Sequence, residues 1–189
     1  MGLLKRKKKT DTLTLILHEC SSGDRKAQEH LYRDYYGYAM SIALRFSDSR
    51  EAAVEILNDS FLKVFQYLAS NNVNEISDFK PWLRRILINK SVDHYRSRNN
   101  KNDIDYEENL PESVSTEDVI SKMSAEDIIL QLQKLPDMYR LVFVLYEIEG
   151  YSHNEISKEL NISETASRKH LSRAKGMLRT ILIKADLYG

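Results

Sequence analysis

The sequence predicts an all-α protein: two small helical domains joined by a flexible acidic linker, the C-terminal one containing a helix-turn-helix. Three observations carry that prediction. Apolar residues recur at three- and four-residue steps along nearly the whole chain, and no alternating run is long enough to read as a strand. A polar, acidic stretch from Asn99 to Met123, interrupted by Pro111, has little to bury. Residues 150–178 read as two short helices joined by a tight turn, the second loaded with cations.

The elements follow in order. Residues 1–20 hold a basic arm, Lys5 to Lys9, leading into the start of a helix. The arm has the charge of a signal-peptide front, but Leu13 to Leu17 is too short and polar-flanked to be its apolar segment, so a disordered arm is expected. Residues 21–98 form the N-terminal domain. A helix opens near Gly23-Asp24 and carries Ala27, Leu31, Tyr35, Tyr38, Ile42 and Phe46 on one stripe; another follows Asp48-Ser49 with Leu57, Phe61, Val64, Phe65 and Leu68. Ala69 to Asp78, rich in Ser and Asn, reads as a loop. Pro81 then suits the first turn of a helix with Trp82, Leu83, Ile86 and Leu87 inward and a cationic far end reaching Arg98. Residues 99–123 are the linker.

Residues 124–189 form the C-terminal domain. Ser124 caps a helix running through Leu130, Leu132 and Leu135, Pro136 stops it or starts the next, and Gly150 closes the segment containing Leu141, Val142, Phe143, Leu145 and Tyr146. Ser152 and Glu155 make a capping box for a helix to Leu160, with Ile156 and Leu160 on one face. Asn161 falls at the turn, being one of the few residues besides glycine that tolerate the left-handed conformation. Ile162 plugs the angle. Ser163 caps the second helix, which turns Ser167, Leu171, Ala174 and Leu178 inward. Ser163, Thr165, Arg168, Lys169, Ser172, Arg173 and Lys175 are left to donate to phosphates and, for Arg168 and Lys169, to purine edges. An ordinary helical hairpin with a solvated outer face is the competing reading.

Composition sharpens the choice. The 28 Lys and Arg balance 28 Asp and Glu, so the whole chain predicts no polyanion partner. Local charge says otherwise. From Lys80 to Lys101 seven cations face one acid, from Asp103 to Asp127 nine acids face one cation, and from Lys158 to Lys184 seven cations face two acids. Two basic bodies flank an acidic connector, a segregation that a nucleic acid reads. Residues 79–98 also interleave Phe79, Trp82 and Tyr95 with Lys80, Arg84, Arg85, Lys90, Arg96 and Arg98. Such mixtures hold single strands, since cations track the backbone and flat groups stack on bases at about 1–3 kcal/mol each. Trp82 beside Leu83 also fits a core position.

Other classes find little support. The five histidines (His18, His30, His94, His153, His170) are scattered, and there is no phosphate-binding glycine loop or acid–base pair. His18 and Cys20 alone make a poor metal site. No catalytic residue, metal or cofactor is expected. One cysteine permits no internal disulfide, and no apolar run approaches the ~18 residues of a membrane span. A soluble cytoplasmic protein without membrane insertion is expected.

Taken in order, Gly23-Asp24, Leu31 to Tyr36 (LYRDYY), Ala53 to Phe65 (AVEILNDSFLKVF), Phe79 to Arg98 and Leu135-Pro136 to Leu178 resemble a bacterial RNA polymerase sigma factor of the small two-domain, extracytoplasmic-function type. The resemblance implies a non-enzymatic protein whose partners are core RNA polymerase and promoter DNA, both paired and melted, with an anti-sigma factor as a further candidate. It implies that Glu55, Ile56, Asn58, Asp59, Phe61, Leu62 and Phe65 dock on the polymerase clamp. It also implies that the Ala69 to Arg98 segment captures and melts the minus-ten element, through Lys80, Arg84, Arg85, Asn89, Lys90, His94, Arg96 and Arg98. The Ser163 to Lys175 helix would read the minus-thirty-five element. A 25-residue linker spans at most about 80–90 Å, against roughly 70 Å for two turns of DNA, so both domains reach one promoter. Two departures stand out: Asn58-Asp59 replaces a more usual Gln-Glu pair, and Ala166-Ser167 stands where many relatives carry Thr and an apolar residue. The alternative is a stand-alone helix-turn-helix regulator whose N-terminal helices sense a signal or dimerise; the second basic, aromatic segment argues against it.

Overall fold

The computed structural model describes residues 2–99 and 125–188; the expected linker and the Ser124 cap lie outside them. Every regular element among these residues is helical. They fall into two compact units, one of residues 1–43 and 54–90, the other of 44–53 and 91–189.

Helix α1 (Gly2–Ser21) already departs from expectation, because the basic start is helix rather than a disordered arm. Lys and Arg are strong helix formers, and the chain beyond them supplies the anchor: Ile16, Leu17 and Cys20 are buried. Gly23 (φ +84°) ends the element, donating to the Cys20 carbonyl at 3.1 Å. Asp24 then caps α2 (Arg25–Phe46) by accepting from the amides of Lys26 (2.7 Å) and Ala27 (3.0 Å). Ser49 does the same for α3 (Arg50–Ser70), taking the Ala52 amide at 3.2 Å.

The core of the first unit takes most of the expected stripes, Ala27, Leu31 and Ile42 from α2, and Leu57, Phe61, Val64 and Leu68 from α3, while Tyr35, Tyr38 and Phe65 are only half-buried. The expected loop is tighter than predicted, with a 3-10 turn over Val73–Glu75 capped by Asn72 and pinned by buried Val73. Helix α4 (Phe79–Asn99) starts behind Asp78 and carries Pro81 in its first turn, where no amide is needed. Leu83 and Leu87 are buried, while Trp82 is only half-buried.

In the second unit α5 (Ala125–Leu132) is shorter than expected. Leu132 and Leu135 are inward, but Leu130 is 56% exposed, because it sits two residues off that stripe. Pro136 precedes α6 (Asp137–Phe143), which continues into a π-helical turn, Val144–Ile148, closed by Gly150 at φ +77°. Helices α7 (His153–Leu160) and α8 (Glu164–Tyr188) complete the unit.

Arg140 is buried inside this unit at 3% exposure. It donates to the Leu135 carbonyl (2.8 Å), to the Phe46 carbonyl at the end of α2 (3.2 Å), and to the Asp137 carboxylate. The Phe46 carbonyl ends α2, where carbonyls lack intrahelical partners, and the Leu135 carbonyl lies in the turn before α6, so one guanidinium serves both while its own charge is met by Asp137. Arg140→Met is expected to lower the unfolding free energy by about 2–4 kcal/mol, because it strands those acceptors; denaturant titration against the unsubstituted chain checks this.

Candidate nucleic-acid interface

The helix-turn-helix is built by local bonds. The Ser152 Oγ accepts from the Glu155 amide (3.2 Å) while the Glu155 carboxylate takes the Ser152 amide (2.8 Å), closing the capping box. That bonding to Ser152 holds the Glu155 carboxyl below its ordinary value. Asn161 is the one non-glycine residue at positive φ among the described residues (φ 54°, ψ 44°), and Ile162 donates back to the Ser157 carbonyl at 3.1 Å. Ser163 caps α8 by accepting from Ala166 at 3.0 Å. The inner stripe Ser167, Leu171, Ala174 and Leu178 is buried throughout.

The outer face divides in two. Ser163, Thr165, Arg168, Lys169 and Ser172 are exposed, the last four on one stripe. Arg168 lies 3.3 Å from Glu164 on its own helix. Arg173 and Lys175 are half-buried and already held, Arg173 by the Tyr139 hydroxyl (3.1 Å) and Lys175 by Glu147 of the π turn (2.8 Å). These two therefore sit at the edge of the face rather than at its centre.

On α4, Lys80, Arg85, Asn89, Arg96 and Arg98 are exposed, and Arg84, Lys90 and His94 half-buried. The Lys80 ammonium lies over the Tyr38 ring, 5.4 Å from its centroid. The rings correct the sequence reading. Phe79 is 2% exposed, packed edge-on to Tyr35 (4.7 Å between centroids), so it offers no surface to a base. Trp82 leans on Tyr67 (5.0 Å) and Phe79 (5.7 Å), leaving part of its indole outside. Toward the helix end, Arg98 pairs with Asp48 at 3.0 Å, which draws the Asp48 carboxyl below the usual carboxylate range. Arg96 meets Asp93 (3.5 Å) and the side chain (4.0 Å) and backbone carbonyl of Glu159.

On α3 the expected docking set splits by face. Glu55, Asn58, Asp59 and Leu62 form an exposed stripe, Leu62 at 56%, and Phe65 is half-buried. Ile56 and Phe61 are instead core residues, at 2% and 1%, and support that stripe from beneath. Asn58 accepts from the Tyr32 hydroxyl at 3.0 Å, and Tyr32 packs on Phe61 with centroids 4.8 Å apart. His18 is exposed and Cys20 buried.

Family comparison fits this geometry. The model for sigma-70 region 2 matches residues 31–101, and that for sigma-70 region 4 matches residues 125–178. The chain belongs to the sigma-70 family. Together the two matches take in α4, most of α2, all of α3 and the helix-turn-helix. Among similar proteins, a probable RNA polymerase sigma factor of Xanthomonas campestris is 27% identical over 92% of this chain. An ECF RNA polymerase sigma factor of Mycolicibacterium smegmatis is 27% identical over 87%, and one of Bacillus subtilis 25% identical over 86%. The chain spans 46%, 66% and 92% of these relatives' own lengths, respectively. A solved structure titled as CnrH in complex with the cytosolic domain of CnrY aligns with 90% of this chain and 97% of that chain at 23% identity, TM-score 0.43.

Sequence reasoning missed three features of this sigma-70 chain: the π turn, the Arg140 hub and a buried His153. Only the last left a signal, since His153, Ile156 and Leu160 share one helical stripe. Asn161→Val is expected to destabilise the second unit by about 1–2 kcal/mol, because a β-branched residue resists the left-handed turn, while Asn161→Gly stays near the starting stability; thermal melting compares the two.

Proposed function

We propose that this chain binds core RNA polymerase and directs promoter-specific initiation of transcription, working in the cytoplasm and without catalysis of its own. The observation that carries the reading is that each family-matched region presents an exposed cationic face suited to a different state of DNA. On α8, Thr165, Arg168, Lys169 and Ser172 project from a helix narrow enough for the major groove, where paired bases display a readable edge. On α4, Lys80, Arg85 and Arg96 line a helix that still offers part of Trp82, a combination suited to unpaired strands.

In this reading α8 reads the minus-thirty-five element, with Ser163, Arg173 and Lys175 holding phosphates at its margins. The Ala69 to Arg98 segment captures the melted minus-ten element, with Arg84, Asn89, Lys90, His94 and Arg98 in support. Arg96 exchanges its carboxylate partners for phosphate. The α3 stripe of Glu55, Asn58, Asp59 and Leu62, flanked by Phe65, docks on the polymerase clamp; its exposed leucine beside acids suits an apolar and basic counterpart. No helix among the described residues is long and apolar enough to cross a membrane.

Reconstituted transcription with core polymerase on genomic fragments tests the reading: specific initiation supports it, and tight operator binding with no polymerase association would establish a stand-alone regulator instead. Arg168→Ala should weaken binding by about 1–3 kcal/mol at a single base position across a panel of point-substituted duplexes. A uniform loss with a shallower salt slope marks a phosphate contact. Replacing Arg84, Arg85 and Arg96 together by Ala should impair promoter opening, followed by permanganate reactivity, more than polymerase binding; equal losses would make the segment structural.

A further inference from the structure

Ser167 poses a problem that DNA reading does not solve. It is fully buried on the inner stripe of α8, where an apolar side chain would need no partner and an unpaired hydroxyl costs about 1–3 kcal/mol. Its partner is His153, the first residue of α7, 8% exposed, with Nδ1 2.8 Å from the Ser167 Oγ. Tyr146 of the π turn stacks on the imidazole, with centroids 4.4 Å apart and planes 21° from parallel. At the rim, the Asn154 amide donates to Glu164 at 2.8 Å, and the same Glu164 carries Arg168.

We propose that His153 is a positioning residue for duplex reading: clamped by Tyr146, it fixes the roll of α8 through Ser167 and so aims Arg168 and Lys169. This rests on the reading of α8 as the helix that enters the major groove. Ser167 and Arg168 are neighbours on one rigid helix, so the bond that holds one sets the bearing of the other. A helix with its side chains has a radius of about 5–6 Å, so a roll of about 10° moves its outer groups by about 1 Å. That shift is enough to spoil a hydrogen bond to a base edge.

The joint is also sensitive to protons. Burial disfavours the imidazolium and the Arg168 guanidinium repels it, so His153 titrates below its ordinary value although the Glu164 carboxylate pulls the other way. Those two groups face it from α8, and Tyr146 faces it from the π turn. Because the folded-state value is depressed, the unfolded chain takes up the proton first. Stability is therefore whole above the ordinary value of ~6.5 and is lost as pH falls through the lower folded-state value.

The test uses holoenzyme assembled from the full chain and core RNA polymerase, a duplex that it selects from a random-sequence pool, and a scrambled duplex as reference. Ser167→Ala should lower the selected-over-scrambled affinity ratio about fivefold, the worth of one hydrogen bond, with polymerase binding unchanged. A paired variant, His153→Leu with Ser167→Val, replaces the bond by packed apolar groups, its folding verified by thermal melting. As the pH is lowered from about 8 to below the depressed folded-state value of His153, located by NMR titration of the free chain, the unsubstituted chain should lose discrimination while the paired variant stays level. Identical pH profiles for the two, or a Ser167→Ala chain that discriminates as well as the original, would overturn the positioning role alone. A holoenzyme that selects no duplex at all would overturn the DNA-reading function, and this role with it.

Discussion

The bearing of α8 depends on what holds it, and in this chain that constraint is concentrated in the hinge between α7 and α8. One backbone position, Asn161, takes the left-handed conformation that lets two helices meet within three residues. Everything around it is arranged to spare that hinge unpaired polar groups: a capping box before α7, a serine cap before α8, and a return bond from Ile162 to Ser157. With the backbone so committed, the inner stripe of α8 has one way to bury itself, and the exposed stripe follows from geometry.

Charge is handled by the same economy. A chain with equal numbers of acids and bases has no net charge with which to attract a polyanion, and salt largely screens its exposed charges beyond a Debye length of about 8–10 Å. Attraction must therefore be local. The structure keeps Lys80, Arg85, Arg168 and Lys169 exposed, Arg168 beside Glu164 of its own helix, while Arg98, Arg173 and Lys175 are matched with Asp48, Tyr139 and Glu147. Such a surface favours docking in a defined register over loose adhesion, because these exposed cations are carried on the helices α4 and α8.

The fold was legible wherever one rule acted alone. Periodicity placed α2, α3 and the inner stripe of α8; capping chemistry placed Ser152, Asn161 and Ser163. It failed where two rules competed. Five basic residues in a row suggested an unstructured arm, yet helix propensity and the buried anchor at Ile16 and Leu17 prevailed. Phe79 and Ile56 belong to residue types that serve both cores and interfaces, and sequence spacing alone does not say which side of the helix the rest of the chain will cover. Arg140 left no trace because its acceptors are carbonyls, one of them at the end of a helix 94 residues away. The π turn escaped for a related reason, since Tyr146 and Glu147 within it meet His153 and Lys175, which come from later helices.

Cys20, the only cysteine in the chain, is sealed in the first unit with its thiol pushed up to about 11 by burial and by the neighbouring acids Glu19 and Asp24. Thiol chemistry runs through the thiolate, so at neutral pH this sulfur is nearly inert toward alkylating dyes. The native protein is thus a ready-made blank for site-directed labelling. A cysteine introduced at an exposed site on α8 would take up a fluorophore against a dark background, so that changes around a single helix could be followed in real time.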